Sequence, residues 1–180
     1  MLEDWRSSLD QYEYVGAVLM DLSKAFDCIP HEHLTNKLTA YGLSSSATML
    51  ISNYLSNRNQ RVKIGNTTGS WLEIAKGVPQ GSILGPLMFN IFINDIFLCV
   101  KGCSIYNYAD DNTISAAHRN IDDLLSMLEN ASKQAIDWFE YNYMLANPNK
   151  FQAIILEPGR TTHCVSHTLN FRETSISSDS

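Results

Sequence analysis

Seven consecutive apolar residues, Tyr14-Val15-Gly16-Ala17-Val18-Leu19-Met20, end abruptly at Asp21. The run is too short for a helix and has no polar alternation, so it reads as a fully buried central strand. Such a strand forces the rest of the chain to cover it. A carboxylate at its exit is poorly solvated unless it is paired or bound to a cation. The other reading of Asp21 is a cap or turn for the segment that follows.

The 180 residues suffice for one domain with a sizeable core, and 44% hydrophobic against 18% charged residues is ordinary globular composition. Met1 to Glu13 is polar with scattered Trp5 and Leu9, a helical remnant at the N-terminus. After Asp21, the stretch from Leu22 to Asp27 turns into a helix. Pro30 suits the first turn of the next helix, Leu34, Leu38 and Tyr41 recur on its face, and Gly42 ends it. Another helix runs from a cap near Ser44 to Asn57 with Leu50, Tyr54 and Leu55 inward. Arg58, Arg61 and Lys63 then surround Gln60 and Val62, and Val62-Lys63-Ile64, a Gly65-Asn66 turn and Trp71-Leu72-Glu73-Ile74 read as strand, loop, strand. Gly77-Val78-Pro79-Gln80-Gly81-Ser82 is a loop, and the helix from Pro86 to about Phe97 is apolar nearly all round.

Ser104-Ile105-Tyr106-Asn107-Tyr108 and Asn112-Thr113-Ile114-Ser115-Ala116 are strand-like on either side of Ala109-Asp110-Asp111, so the two acids fall at or near a hairpin tip. Two like charges about 4 Å apart repel by about 4 kcal/mol at an effective dielectric of about 20. A cation turns that repulsion into attraction. The bland reading is a solvated Asp-Asp-Asn turn. Asn120 caps the clearest helix, with Asp122 and Asp123 in its first turn and Ile121, Leu124, Leu125, Leu128, Ala135 and Trp138 inward. An Asn147-Pro148-Asn149 turn, Lys150 and a strand from Phe151 to Leu156 follow. Residues 157–180, rich in Ser and Thr, are expected to be loose. The succession is α+β: a small, mainly antiparallel sheet with helices packed on one face.

Cys28, Cys99, Cys103 and Cys164 lack paired spacing, as reduced intracellular thiols do, and Cys99 and Cys103 match no zinc signature with His163 and His167. No signal peptide is visible, and the most apolar stretch, Ile83 to Val100, is broken by Pro86, Asn90, Asn94 and Asp95, so no membrane span is expected. The net charge of −6 is unlike that of a self-sufficient nucleic-acid binder. Either this chain holds no nucleic acid or the basic surfaces that do so lie outside it.

If the strands bearing them are neighbours, Asp21 and Asp110 can face one another. An all-oxygen cluster prefers Mg²⁺ or Mn²⁺. Two such ions roughly 3.5–4 Å apart hold the attacking and leaving oxygens of a phosphoryl transfer.

On these residues the chain resembles the polymerase palm of a reverse transcriptase, most similar to non-LTR (LINE-like, jockey-like) retrotransposon polymerases. Asp21-Leu22-Ser23-Lys24-Ala25-Phe26-Asp27 resembles motif A of that family, and the run from Gly77 to Leu87 resembles motif B. Tyr108-Ala109-Asp110-Asp111 resembles motif C and Asn147-Pro148-Asn149-Lys150 motif D. The resemblance spans residues 14–156, with residues 1–13 before it and 157–180 after it. It implies RNA-directed DNA synthesis, with nucleotidyl transfer from a dNTP to a primer 3′-hydroxyl on an RNA template, using two Mg²⁺ or Mn²⁺ ions. Asp21, Asp110 and Asp111 would hold the metals, with the Leu22 carbonyl as a further ligand. Backbone amides of Ser23, Lys24 and Ala25 would receive the triphosphate. Phe26, five residues after Asp21, stands where the family places its steric gate against a ribose 2′-hydroxyl. RNA-dependent RNA polymerases carry an acid at that offset; Asp27 comes one position later, which favours DNA synthesis. Pro79, Gln80 and Gly81 would line the nucleotide pocket, and Tyr108 would pack beneath the primer end. Lys150 would donate a proton to the departing pyrophosphate.

The family's fingers, thumb and primer grip are expected outside residues 1–180, which accounts for the acidic charge. Beside the polymerase reading stands a catalytically silent retrotransposon fragment, a remnant or binding module. The compartment implied is intracellular, nucleus or cytoplasm.

Overall fold

A computed structural model describes residues 1–159, 168–171 and 174–177. The chain divides into two compact units, so the stretch 14–156 contributes to both. The first comprises residues 1–23, 95–141 and 145–180; the second comprises 24–94 and 142–144.

In the first unit, α1 (Leu2–Asp10) leads into β1 (Tyr14–Met20), the buried strand that the apolar run predicts. β2 (Leu22–Ser23) follows directly after Asp21. In the second unit come α2 (Ala25–Cys28), α3 (His31–Ala40), α4 (Ser45–Leu55), the short strands β3 (Asn59–Gln60), β4 (Lys63–Ile64), β5 (Thr67–Thr68) and β6 (Leu72–Glu73), and α5 (Leu84–Ile93). The chain returns to the first unit with α6 (Ile96–Cys99), β7 (Ser104–Tyr108), β8 (Asp111–His118), α7 (Ile121–Tyr141), β9 (Leu145–Ala146) and β10 (Gln152–Leu156).

The central sheet of the first unit has the order β10-β1-β8-β7, every pair antiparallel. α7 covers one face. Its buried residues Leu124, Leu128, Ala131, Ala135, Ile136 and Phe139 recur at helical spacing. Asn120 caps it as its sequence position predicts, its Oδ1 accepting from the Asp122 and Asp123 amides. Gly16 lets α7 approach: a Cβ there would meet Leu128 Cδ1 at 2.5 Å. α1 reaches the opposite face, where Trp5 Nε1 donates to Ser115 Oγ at 2.7 Å and Ser115 Oγ donates to the Gly16 carbonyl. Tyr106, beside Ser104 on β7, donates its hydroxyl to Asp4 of α1. Within the tail expected to be loose, β11 (Thr168–Phe171) and β12 (Thr174–Ser177) pair as a hairpin, and Leu169 is buried. The rest of that tail, including His163, Cys164 and His167, lies outside the described residues.

In the second unit, Ser44 caps α4, its Oγ accepting from the Ala47 amide. The helix presents Leu55 to the core, whereas Leu50 is 70% exposed rather than inward. At 100° per residue the two side chains point to nearly opposite sides. The helix predicted from Pro86 to Phe97 starts two residues earlier and stops at Ile93, and Asn94-Asp95 separates it from α6. Its apolar surface is not covered all round: Met88, Phe89, Phe92 and Ile93 are buried, but Leu84 and Leu87 are exposed. The expected helix from Leu22 to Asp27 is interrupted. β2 pairs with β9, and Lys24 adopts a left-handed φ of 53° before α2 begins. The strand-loop-strand unit is a double ribbon, β4 with β5 around Gly65-Asn66 and β3 with β6 outside it.

Candidate active site

β1 ends at Met20, paired with Asn112 of β8. Continuing that register by one residue brings Asp21 level with Asp111. Partners across a sheet share a face, so Leu19 with Thr113 and Gln152, then Asp21 with Asp111, lie on the face opposite α7. A cavity of about 620 Å³ opens there, lined by Leu19, Met20, Asp21, Asp111, Asn112, Thr113, Lys150 and Gln152. The strand beside β1 is therefore β8, which carries Asp111, and not β7.

Asp110 occupies the two-residue turn Ala109-Asp110 between β7 and β8, whose last pair is Tyr108 with Asp111. Ala109 takes a left-handed φ of 55°, and Asn112 Nδ2 donates to the Asp110 carbonyl at 2.8 Å. Asn112 is 98% buried, since only 2% of its surface is exposed, and it anchors the turn from below. Reading the sequence singled out the two acids and missed this support, although an amide directly after the pair was its signal. Tyr108 is 84% exposed.

Lys150 closes the cavity on the side of β10. Asn147 donates its amide to the Asp21 carbonyl, Lys150 donates its amide to the Asn147 carbonyl, and Lys150 Nζ meets Asp21 Oδ2 at 2.9 Å. The turn of motif D is thus built onto the end of β1. The pair is partly exposed on both sides, so it contributes at most about 1 kcal/mol. Asp21, Asp111 and Lys150 are brought together; among the described residues, no three His, Cys, Asp or Glu side chains form a metal-binding group. Asp110 stays at the tip because its turn is pinned by Asn112. Leu22 is buried and pairs with Ala146, and Ser23 pairs with Leu145.

Of Asp21, Asp111 and Lys150, only the two carboxylates are oxygen donors of the kind a hard divalent ion takes; the Lys150 ammonium is no ligand. Mg²⁺ is ordinarily held by one or two protein carboxylates, with water and substrate phosphates filling its other positions. Asp21 already accepts one cationic group, which shows that its carboxylate is directed at the cavity.

The second unit holds the other residues singled out from the sequence. Ala25 is buried, and Phe26 is half-buried with its ring stacked on Phe89 at 4.4 Å. That ring is a packing element in its own right. The loop from Gly77 to Ser82 is strapped to the α2 segment. Gly77 donates its amide to the Ile29 carbonyl at 2.7 Å, Val78 donates to the Phe26 carbonyl at 2.8 Å, and His31 Nε2 lies 2.7 Å from the Gly77 carbonyl. Gln80 Nε2 donates to Asp27 Oδ1 at 2.8 Å, which fixes the direction of the amide. The Pro79 carbonyl accepts from the Ser82 hydroxyl, and Gly81 has a φ of +77°. Asp27 and His31 were missed in the sequence as partners of this loop because they lie some 50 residues before it.

The family model for reverse transcriptase (RNA-dependent DNA polymerase) matches residues 3–172. The RNA-directed DNA polymerase from mobile element jockey of Drosophila melanogaster is 26% identical over 92% of this chain and 19% of its own length. The jockey polymerase of Drosophila funebris is 31% identical over 73% of this chain and 15% of its own. The probable polymerase from transposon BS of Drosophila melanogaster is 34% identical over 49% of this chain and 10% of its own. The chain therefore spans less than a fifth of the length of these relatives. Apo telomerase from Candida tropicalis shares the fold with a TM-score of 0.62 at 11% identity, over 98% of this chain and 34% of that one. Telomerase from Candida albicans in complex with a fragment of telomeric RNA aligns with a TM-score of 0.53 at 14% identity, over 98% and 32%. Among the described residues, no helix is long and apolar enough to cross a membrane. With the four sequence motifs in order and an antiparallel sheet carrying the acids at one end, the chain is a domain of the reverse transcriptase (RNA-dependent DNA polymerase) family, homologous to the polymerases of non-LTR retrotransposons.

Proposed function

We propose that this domain performs RNA-directed DNA synthesis, adding deoxynucleotides to a primer 3′-hydroxyl on an RNA template. The observation that carries the reading is the cavity at the end of β1, lined by Asp21, Asp111 and Lys150 on the sheet face opposite α7, with Lys150 paired to Asp21. Asp21, Asp110 and Asp111, with the Leu22 carbonyl, would hold two Mg²⁺ or Mn²⁺ ions. When bound, such ions lower the pKa of the attacking hydroxyl and offset the charge that builds on the phosphate.

The protein's own residues supply position and protons. The Asn112 bond to the Asp110 carbonyl ties down the backbone of the hairpin tip from which the Asp110 carboxylate would reach the metals. Lys150 offers an ammonium to the departing pyrophosphate and can give it a proton. Ser23, Lys24 and Ala25 present backbone amides to the triphosphate, and the left-handed turn at Lys24 supports an inward set of such amides. Phe26 excludes a ribose 2′-hydroxyl, with Phe89 holding the ring in place. Gln80, oriented by Asp27, contacts the nucleotide between Pro79 and Gly81. Tyr108 supports the primer end.

Mn²⁺ titrated into the chain and followed by electron paramagnetic resonance is expected to bind, and Asp21→Asn or Asp110→Asn to weaken it at least tenfold. Residues 14–156 exchanged into the matching stretch of a jockey-like polymerase are expected to sustain extension of a primed RNA, and Asp110→Asn to abolish it. A chimera that binds primed template but adds no nucleotide would refute the reading.

A further inference from the structure

We propose that the exposed ribbon of the second unit, residues 58–76, is a contact surface for single-stranded nucleic acid. The chain as a whole is acidic, with 13 Lys and Arg against 19 Asp and Glu. The ribbon reverses that balance: Arg58, Arg61, Lys63 and Lys76 face a single acid, Glu73. Its strands are two residues each, and every residue from 59 to 73 is exposed. A ribbon of that size buries too little to be maintained for its own packing.

The apolar residues on it are the second observation. Val62 is 68% exposed, Ile64 77%, Trp71 61% and Leu72 63%. Trp71 carries the Arg61 guanidinium over its ring at 4.5 Å. With the guanidinium over one indole face, a base stacks on the outer face of that planar cation or on the other indole face, and its phosphate meets the guanidinium edge. Lys63, two residues along, adds a second cation for the neighbouring phosphate. Arg58 is differently employed: its guanidinium lies over Tyr54 and its Nε donates to the Tyr54 carbonyl, which ties the ribbon to the end of α4. The plate requires an unstacked base, which a single strand offers and a duplex does not. This inference rests on the polymerase reading only for the expectation that a strand is delivered to the protein.

The test is fluorescence anisotropy of the 180-residue chain with an unstructured, labelled oligouridine at several salt concentrations. Each phosphate contact on a single strand adds about 0.7 to the log–log salt slope, so Arg61→Ala with Lys63→Ala is expected to lower the slope by about 1.4. Trp71→Ala is expected to weaken binding about fivefold or more, and Trp71→Phe to retain most of it, since any aromatic face serves the stack. The fold survives these changes because the side chains are exposed, and circular dichroism checks that. Absence of oligouridine binding, or binding that the variants leave unchanged, overturns the proposal. So does a preference for polyglutamate over oligouridine, which assigns the surface to an acidic protein partner. Mn²⁺ binding measured in parallel separates the two readings. Oligouridine binding without Mn²⁺ binding defeats the polymerase reading alone, and Mn²⁺ binding without oligouridine binding defeats this one alone.

Discussion

Gly77→Ala tests how firmly the loop of motif B is locked to motif A. Gly77 has a φ of +88°, and an added Cβ would lie 2.8 Å from Asp27 Cα, 2.9 Å from its carbonyl oxygen and 3.0 Å from its carbonyl carbon. All three are backbone atoms, so no side chain can swing aside. The clash is relieved only by lifting the loop from α2, across the seam where the Gly77 and Val78 amides donate to Ile29 and Phe26. A left-handed residue with a Cβ costs roughly 1–2 kcal/mol. Overpacking against an unyielding neighbour adds about 1–3 kcal/mol, and each seam bond lost a further 0.5–1.5 kcal/mol, roughly. A total of about 2.5–6.5 kcal/mol follows if the loop shifts and one bond breaks.

Gly42 separates these contributions. Its φ is +90°, yet nothing lies within 4 Å of its added Cβ. Gly42→Ala should therefore cost only the backbone strain, roughly 1–2 kcal/mol. Both glycines belong to the second unit, so both variants report on the same unfolding transition. Urea denaturation of the two, with hydrogen exchange at the Val78 amide, is the assay. Gly77→Ala is expected to lose about 1.5–4.5 kcal/mol more than Gly42→Ala, and only Gly77→Ala to speed Val78 exchange. Equal losses, with Val78 equally protected, would refute the claim that the loop is pressed onto α2.

Phe26→Ala in the chimeric polymerase is expected to admit ribonucleotides, scored by extension with rNTPs against dNTPs. It should also destabilise by less than the roughly 3–5 kcal/mol of a fully buried Phe, because Phe26 is half-buried; unchanged sugar selection would leave Phe26 a packing residue only. Cys103, whose Sγ donates to the Met127 carbonyl, has its thiol pushed up to about 11 by burial. The unfolded chain loses this proton near pH 9 while the folded one keeps it, so stability should fall as pH rises from about 9 to 11, by no more than about 1.4 kcal/mol per pH unit. At pH 8, iodoacetamide should modify exposed Cys99 well before half-buried Cys103, and faster labelling of Cys103 would contradict that difference in exposure.

What the sequence disclosed was local. β1, the β7–β8 hairpin and α7 were legible because a seven-residue apolar run, strand-like segments around a turn and a helical stripe behind Asn120 each declare themselves within a few residues. What stayed hidden depended on distant partners. β2 is a strand only because Leu145-Ala146 pairs with it, and no property of Leu22-Ser23 announces a partner more than 120 residues away. α5 stops at Ile93 although the apolar pattern continues, and after the polar pair Asn94-Asp95 the apolar residues form a separate short helix, α6. The Gln80 bond to Asp27 was equally invisible: each lies in a motif, but the spacing of motifs says nothing about which side chains meet.

Register sets which of the acids stand side by side. Asp21 and Asp110 were expected to face one another if their strands were neighbours; β1 pairs with β8, whose register, continued by one residue, sets Asp111 level with Asp21 and leaves Asp110 in the turn. Two acids level across a sheet would repel if left alone, and Lys150 sits where it offsets that repulsion. Its backbone is fixed by the Asn147 turn built on the Asp21 carbonyl, which keeps the root of the side chain beside Asp21. With Lys150 61% exposed, the ion pair is weak enough to exchange for a phosphate. A lysine that can leave an acid for a phosphate is suited to meeting a departing pyrophosphate. Its present contact with Asp21 and its proposed part in the reaction are therefore two positions of one side chain on one turn.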